Sequence, residues 1–344
     1  MIMEGNMHYN NRLKYLDYTK GFAILLMLLA HCMGNNNLLH NWIFSFHMPI
    51  FFVVCGCLTT MKYDGRQTGF RDFKSHLIKR LKQIGVPYIV FCLVLIAFYF
   101  SLSLLSHSDY NILESLFSVV TLKGIDSLWF LPVYFLSEML FVFVFLKFNK
   151  IFRCCISFAI ILGLFFAETV IPDIGILKLI LKVLVSLVFV YSGYIIFKYI
   201  LDKINTVFSL LLLLIGSILQ YFNGFVAIGS LELNNVFLFY INAILLSLAV
   251  MSLFKNIENK TKSEIKLLSY FGKNSIVVLC TNNLLIEILR MTDHFITKDI
   301  LITLGYLGVA ILFIILCVLE VLVIKISDTK LCILFGKKDK TTNF

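Results

Sequence analysis

The stretch KGFAILLMLLAHCMGNNNLLHNWIFSFHMPIFFVVCGCL, residues 20–58, holds two apolar runs, near 20–34 and 42–61, divided by a polar turn rich in asparagine. A bilayer's hydrocarbon core takes about 20 apolar residues in helical form, so both runs read as membrane spans once the first borrows residues 15–19. Lys20 opens the first run, His31 follows eleven residues later, and His47 stands near the outer end of the second. At about 1.5 Å per residue, Lys20 and His31 are roughly 16 Å apart, and eleven steps of about 100° leave a net turn of only about 20°. Both therefore project from one helix face, with His31 near the bilayer midplane. Polar groups at that depth are costly and face a bundle interior or a watery cavity. In the second run Pro49 removes a backbone hydrogen bond and predicts a kink, while Gly56 predicts a close helix contact.

The rest of the chain repeats the pattern. Of 344 residues, 60% are hydrophobic and 15% charged, with a mean hydropathy of +0.91, which excludes an ordinary soluble domain. Eight further apolar runs lie near 84–105, 128–146, 154–171, 179–197, 206–222, 234–254, 275–291 and 299–324. The expected fold is all-α and integral to the membrane, a bundle of about ten transmembrane helices in one domain over 1–344. The first run lacks the flanks of a cleavable signal peptide, so the N-terminus is expected to be retained. Of the 30 lysines and arginines, 25 fall on one side of this arrangement and 5 on the other. Basic residues are held on the cytoplasmic side, so both termini are expected there, ending in a short basic tail over 325–344. The net charge of +10 is then topological and calls for no nucleic acid. Segment 106–127 is the one long outer connection, and its apolar positions predict a surface helix. The nine cysteines lie in or at the ends of apolar runs and read as packing residues; no His/Cys spacing suggests a metal ligand set.

Four pieces in order carry a resemblance: LDYTKGFAILLMLLAHC with FSFHMPIFFVVCGCL, KRLKQIGVPYIV at 79–90, LWFLPVYFLSEMLF at 128–141, and LSYFGKNSIVVLCTNN at 268–283. Together they resemble acyltransferase family 3, multi-helix membrane O-acyltransferases. The family's first-helix signature is an arginine, ten residues and a histidine, where this chain has Lys20, ten residues and His31. In the late helix the family often has a histidine where this chain has Asn282. The resemblance implies transfer of an acyl group, acetyl in the first instance, from acyl-coenzyme A to a hydroxyl of a cell-surface polysaccharide or lipid-linked glycan. Acyl-coenzyme A would be a donor substrate and no cofactor is expected to stay bound. It also implies a multi-pass protein of the bacterial cytoplasmic membrane, acting alone or with glycan-assembly partners.

The chemistry names candidates. Acyl transfer needs a base for the hydroxyl proton and stabilisation of an oxyanion, and a histidine suits the first task. His31 is the expected base or transient acyl carrier, with His47 orienting the acceptor or sharing the proton. Glu138, at membrane depth, is costly unless paired or protonated and is a third candidate in the proton chemistry. Lys20 at the cytoplasmic mouth is expected to hold a donor phosphate or thioester oxygen, with Asp17 at i−3 fixing it. Arg80, next to the third span, is expected to contact the coenzyme's phosphates. Asn282 and its neighbour Asn283 are expected to bind acceptor hydroxyls, with Trp129 beside them. Glu168 and Glu320 lie nearer helix ends, where solvation is expected. Two rival readings draw on the same residues: a transporter or flippase of a glycan precursor, in which His31, Lys20 and Glu138 form a polar path, and a non-catalytic assembly subunit of the same fold. The lack of a clear internal repeat weighs against the transporter.

Overall fold

The computed structural model describes residues 12–33, 37–65, 69–167, 175–261, 263–294 and 303–337. Glu168 of the sequence reading lies outside the described residues, as does the tail beyond 337. Among the described residues the chain is helical, with one isolated bridge between Ala227 and Glu232. In order the helices are α1 (Lys14–Cys32), α2 (Leu38–Phe46), α3 (Pro49–Tyr63), α4 (Phe70–Arg80), α5 (Val86–Ser106), α6 (Ile112–Val120), α7 (Phe130–Phe143), α8 (Lys150–Ala167), α9 (Gly175–Ile195), α10 (Thr206–Asn223), α11 (Val236–Lys260), α12 (Lys266–Lys273), α13 (Ser275–Thr292) and α14 (Tyr306–Ser327).

Each expected span holds a helix among its described residues. Among the described residues eight helical stretches are long and apolar enough to cross a membrane, from Leu38–Tyr63 and Phe70–Ser106 to Tyr306–Ser327; α1 and α8, at the other two expected places, are not among them. In hydrocarbon each backbone N–H and C=O must be bonded within the protein, and a helix does this within one segment. Asparagines mark several starts. Asn205 and Asn235 accept from the backbone N–H three residues on, at 2.8 and 3.1 Å, and so cap α10 and α11, satisfying donors that have no partner inside the helix.

The bundle is drawn together where glycines let backbones touch. A Cβ on Gly56 would lie 2.0 Å from the Val190 carbonyl oxygen, and one on Gly193 would lie 2.0 Å from that of Val53. This joins α3 to α9 and fulfils the close contact expected at Gly56. Gly21 and Gly272 do the same for α1 and α12, against Leu268 and Asp17.

Four features differ from the sequence reading. First, α1 takes in the borrowed residues and ends at Cys32, so His31 stands in its last turn and not midway along a span. Second, the proline kink is a full break: α2 ends at Phe46, and His47 and Met48 lead into α3, which Pro49 opens. Third, α6 forms within 106–127 but does not lie across the outer ends of the spans. Tyr110 lies beside Tyr99, ring centres 6.2 Å apart. Val119 accepts from the Tyr88 hydroxyl at 2.9 Å, and Asp126 is back at Tyr99, which donates to it at 2.6 Å. Tyr88 and Tyr99 are about 16 Å apart along α5, so the segment descends along α5 and returns, a re-entrant V. Fourth, the described part of the tail packs on the bundle. Phe335 meets Phe91 with ring centres 5.0 Å apart, and Lys337 donates to Asn274 at 2.9 Å and pairs with Asp328 at 2.8 Å.

Candidate active site

Two cavities lie one above the other along the bundle. The first, about 150 Å³, opens among the ends of α3, α4 and α7 and is lined by Cys55, Lys62, Tyr63, His76, Lys79, Arg80, Gln83, Tyr134 and Glu138. Glu138 is buried at its centre. His76 Nε2 stands 3.0 Å from one carboxylate oxygen, and Arg80 grips the other through Nε at 2.8 Å and through Nη2. The remaining Arg80 donor, Nη1, goes to Gln83 at 3.1 Å, and the Tyr63 hydroxyl meets His76 Nδ1 at 2.7 Å. This pairing answers the cost of burying a carboxylate at Glu138. Three basic side chains, Lys62, Lys79 and Arg80, face one carboxylate here, so the cavity carries positive potential suited to an anion.

The second cavity has two lobes, about 170 and 230 Å³, which share His31, Phe44, Asp126 and Asn283. His47 and Trp129 line the first lobe; Tyr99, Glu287 and Arg290 line the other. Met48 to Cys55 on α3 and Trp129 to Glu138 leading into α7 each run between the two cavities, which sets them about 10–14 Å apart.

The hydrogen bonds at His31 fix its tautomer. Asn282, fully buried on α13, gives its amide N–H groups to the carbonyls of Val278 and Leu279, at 3.1 and 2.8 Å. Its Oδ1 is therefore the atom facing His31 Nδ1 at 2.8 Å, and an amide oxygen only accepts. Nδ1 must carry the proton, which leaves Nε2 with its lone pair. The same logic applies at the helix break, where His47 Nδ1 meets the Ile43 carbonyl at 2.9 Å. His31 and His47 thus each have Nε2 available to take a proton; a third imidazole, His40, lines the second lobe. Arg290 holds the end of α1 by donating to the His31 carbonyl at 2.8 Å.

The remaining candidates fall into these groups or beside them. Lys20 pairs with Asp17 at 3.0 Å, the expected i−3 contact, and Arg12 holds the other side of that carboxylate at 2.5 Å. The link to Asp17 holds the Arg12 guanidinium, at the mouth of the bundle, above its ordinary pKa. Lys20 does not line the first cavity but is within electrostatic reach of Arg80. Glu138 and Arg80 share the first cavity, apart from His31. Asn282 is spent on His31 and two carbonyls, and it is Asn283 that reaches the cavity wall. Glu320, expected to be solvated, is instead fully buried well inside α14, its Oε2 2.9 Å from the Thr281 hydroxyl.

Sequence reasoning missed His76, Tyr63 and Asp126. His76 had a signal, since it precedes Arg80 by four residues on α4 and so shares its face. Asp126 had none, because only the re-entrant V brings it to His31.

A family model described as an acyltransferase domain matches residues 13–319. No curated protein and no solved structure matches the chain. The chain belongs to this acyltransferase family.

Proposed function

We propose, with membership of that family as the premise, that this membrane acyltransferase moves an acetyl or related acyl group from acyl-coenzyme A to a hydroxyl of a surface or lipid-linked glycan. The observation that carries the reading is the pairing of a cationic cavity with a second cavity in which His31 has a free Nε2. The pyrophosphate and 3′-phosphate of coenzyme A suit Lys62, Lys79 and Arg80, with Lys20 close by. Glu138 and His76 hold Arg80 in place. The pantetheine arm, a thin flexible chain, would carry the thioester from the first cavity toward the second.

At His31 the acceptor oxygen attacks the thioester carbonyl carbon while Nε2 takes the hydroxyl proton. The tetrahedral centre collapses, the C–S bond breaks, and His31 returns the proton to the sulfur to give free coenzyme A. Asn282 acts as a positioning residue. Its oxygen keeps Nδ1 protonated and gains a charge-assisted bond while the ring is imidazolium. His47, with its own free Nε2, serves the acceptor or shares the proton. Trp129 offers an apolar ring face, and Asp126 and Asn283 supply polar partners for sugar hydroxyls. The charge split supports an orientation with the first cavity at the cytoplasmic face, where acyl-coenzyme A is available, and the membrane proposed is the bacterial cytoplasmic membrane.

The test uses purified protein in liposomes with labelled acetyl-coenzyme A and a lipid-linked oligosaccharide. Acceptor-dependent release of coenzyme A with label on the glycan is expected. Label crossing the membrane without thioester cleavage would replace the reading with transport; donor binding without turnover would favour the assembly subunit.

A further inference from the structure

A third polar cluster lies away from both cavities, on the same end of the bundle as the first. Arg153, in the first turn of α8, is 8% exposed, and its Nε and Nη1 are sealed from solvent with no hydrogen-bond acceptor. Its guanidinium stands 4.7 Å from the centre of the Tyr194 ring, at the end of α9. Lys198 Nζ approaches the same ring at 5.3 Å and donates to its hydroxyl at 3.2 Å. Lys150 Nζ lies 4.7 Å from the centre of the Tyr199 ring. Three cations thus gather on two tyrosines. The carboxylate paired here is Asp64, and it goes to Lys198 at 2.5 Å; among the described residues none is paired with Lys150 or Arg153.

A desolvated guanidinium with no counter-ion is expensive, and a tyrosine face offers attraction without accepting its N–H bonds. An anion is what the cluster lacks. The side chains next to the cations indicate which kind. Phe148, just ahead of α8, and Ile151 and Phe152 in its first turn are all exposed, Ile151 at 77%, so apolar surface borders the charges. A soluble phosphate compound makes no use of that surface, whereas an acyl chain covers it.

We propose that Lys150, Arg153 and Lys198 form a binding site for the headgroup phosphate of an anionic phospholipid, with its acyl chain against Phe148, Ile151 and Phe152. Basic recesses between spans at the cytoplasmic face are suited to such headgroups, and tyrosines are at home at that depth. The site clamps the start of α8 to the end of α9 and, through Asp64, to α3. It is independent of the transfer chemistry.

The test is the melting temperature of the delipidated full chain in neutral detergent, titrated with dioleoylphosphatidylglycerol or dioleoylphosphatidylcholine, with inorganic phosphate and coenzyme A as soluble arms. The glycerol lipid should stabilise the protein and the choline lipid should not. Each charge at a membrane surface is worth about fivefold in affinity. Half-saturation should therefore rise about fivefold in Lys150→Gln and in Arg153→Gln, recover in part in Arg153→Lys, and hold in Lys74→Gln. Lys150 is exposed, so Lys150→Gln carries the test if Arg153→Gln fails to fold. Equal response to both lipids, or unchanged half-saturation in Lys150→Gln, would overturn the proposal. So would stabilisation by phosphate or coenzyme A that is lost in the same variants, which would make the ligand a soluble phosphate compound.

Discussion

The smallest scale is one amide. Asn282 spends both of its N–H groups on its own helix and turns its oxygen to His31, which converts a half-buried histidine into one of fixed tautomer. His31→Ala should lower transfer by about 10²–10⁴-fold, the worth of a positioned base, with membrane abundance near normal; full activity would remove it from the mechanism. Asn282→Leu removes a hydrogen bond that becomes charge-assisted, worth about 1.5–3 kcal/mol, so kcat should fall about 10–100-fold with little change in donor KM. A change confined to KM would assign Asn282 to substrate binding. At Glu138 the expected signature is stability. Glu138→Ala strands Arg80 and His76 without their carboxylate and should cost about 3–5 kcal/mol, read as a fall in melting temperature, while Glu138→Gln should cost less. The need for a partner at Glu138 was legible from its depth. Its identity was legible only in part, through the four-residue spacing of His76 and Arg80.

At the scale of elements, two kinds of contact shape the bundle. Glycine-to-backbone crossings set α3 on α9 and α1 on α12, and they allow no added methyl. Gly56→Ala should destabilise by about 1–3 kcal/mol through forced separation of the helices, and adding Gly193→Ala should cost less than the sum, because the two share one contact. Thermal unfolding of the two single variants and the pair checks this. The other device is the V formed by α6 and its flanks. Leu113, Leu116, Phe117 and Val120 lie on its outward side, exposed, while Ser115 and Ser118 are partly covered. A helix in water would be turned the other way; an apolar side facing out fits lipid. Phe117→Lys should therefore cost about 2 kcal/mol, seen as lower yield of folded protein, whereas a helix on the watery surface would gain solubility from the change. The apolar run that makes α6 was readable, but its direction was not, because the bonds from Tyr88 and Tyr99 that pull it down come from another helix.

For the whole molecule, the direction of transfer depends on which end faces the cytoplasm. The orientation expected from the charge split would set the Arg80 cavity and the Arg153 cluster inside and the Arg290 lobe of the His31 cavity outside. On a background without cysteine, Arg71→Cys on α4 should react with an impermeant maleimide only after permeabilisation, and Ser230→Cys in the loop between α10 and α11 should react in intact cells. Labelling of position 71 from outside would invert the molecule and deny the cationic cavity its cytoplasmic donor.

What the sequence determined by itself follows from short-range rules. The length and apolarity of each run set the helices, since hydrocarbon accepts no unbonded backbone. The eleven-residue spacing set Lys20 and His31 on one face of one helix, and Asp17 three residues from Lys20 set their pair. Asparagines ahead of apolar runs set where helices begin. What only the tertiary structure decided is everything that joins distant positions: Asn282 to His31 across 251 residues, Glu138 to Arg80, Asp126 to the cavity, Arg153 to Tyr194. In a membrane the lipid is as apolar as leucine, so the apolar pattern that tells a soluble helix which side to bury is silent about partners. Partners are chosen by the few polar groups and glycines that must meet, and which of them meet is a property of the packed bundle.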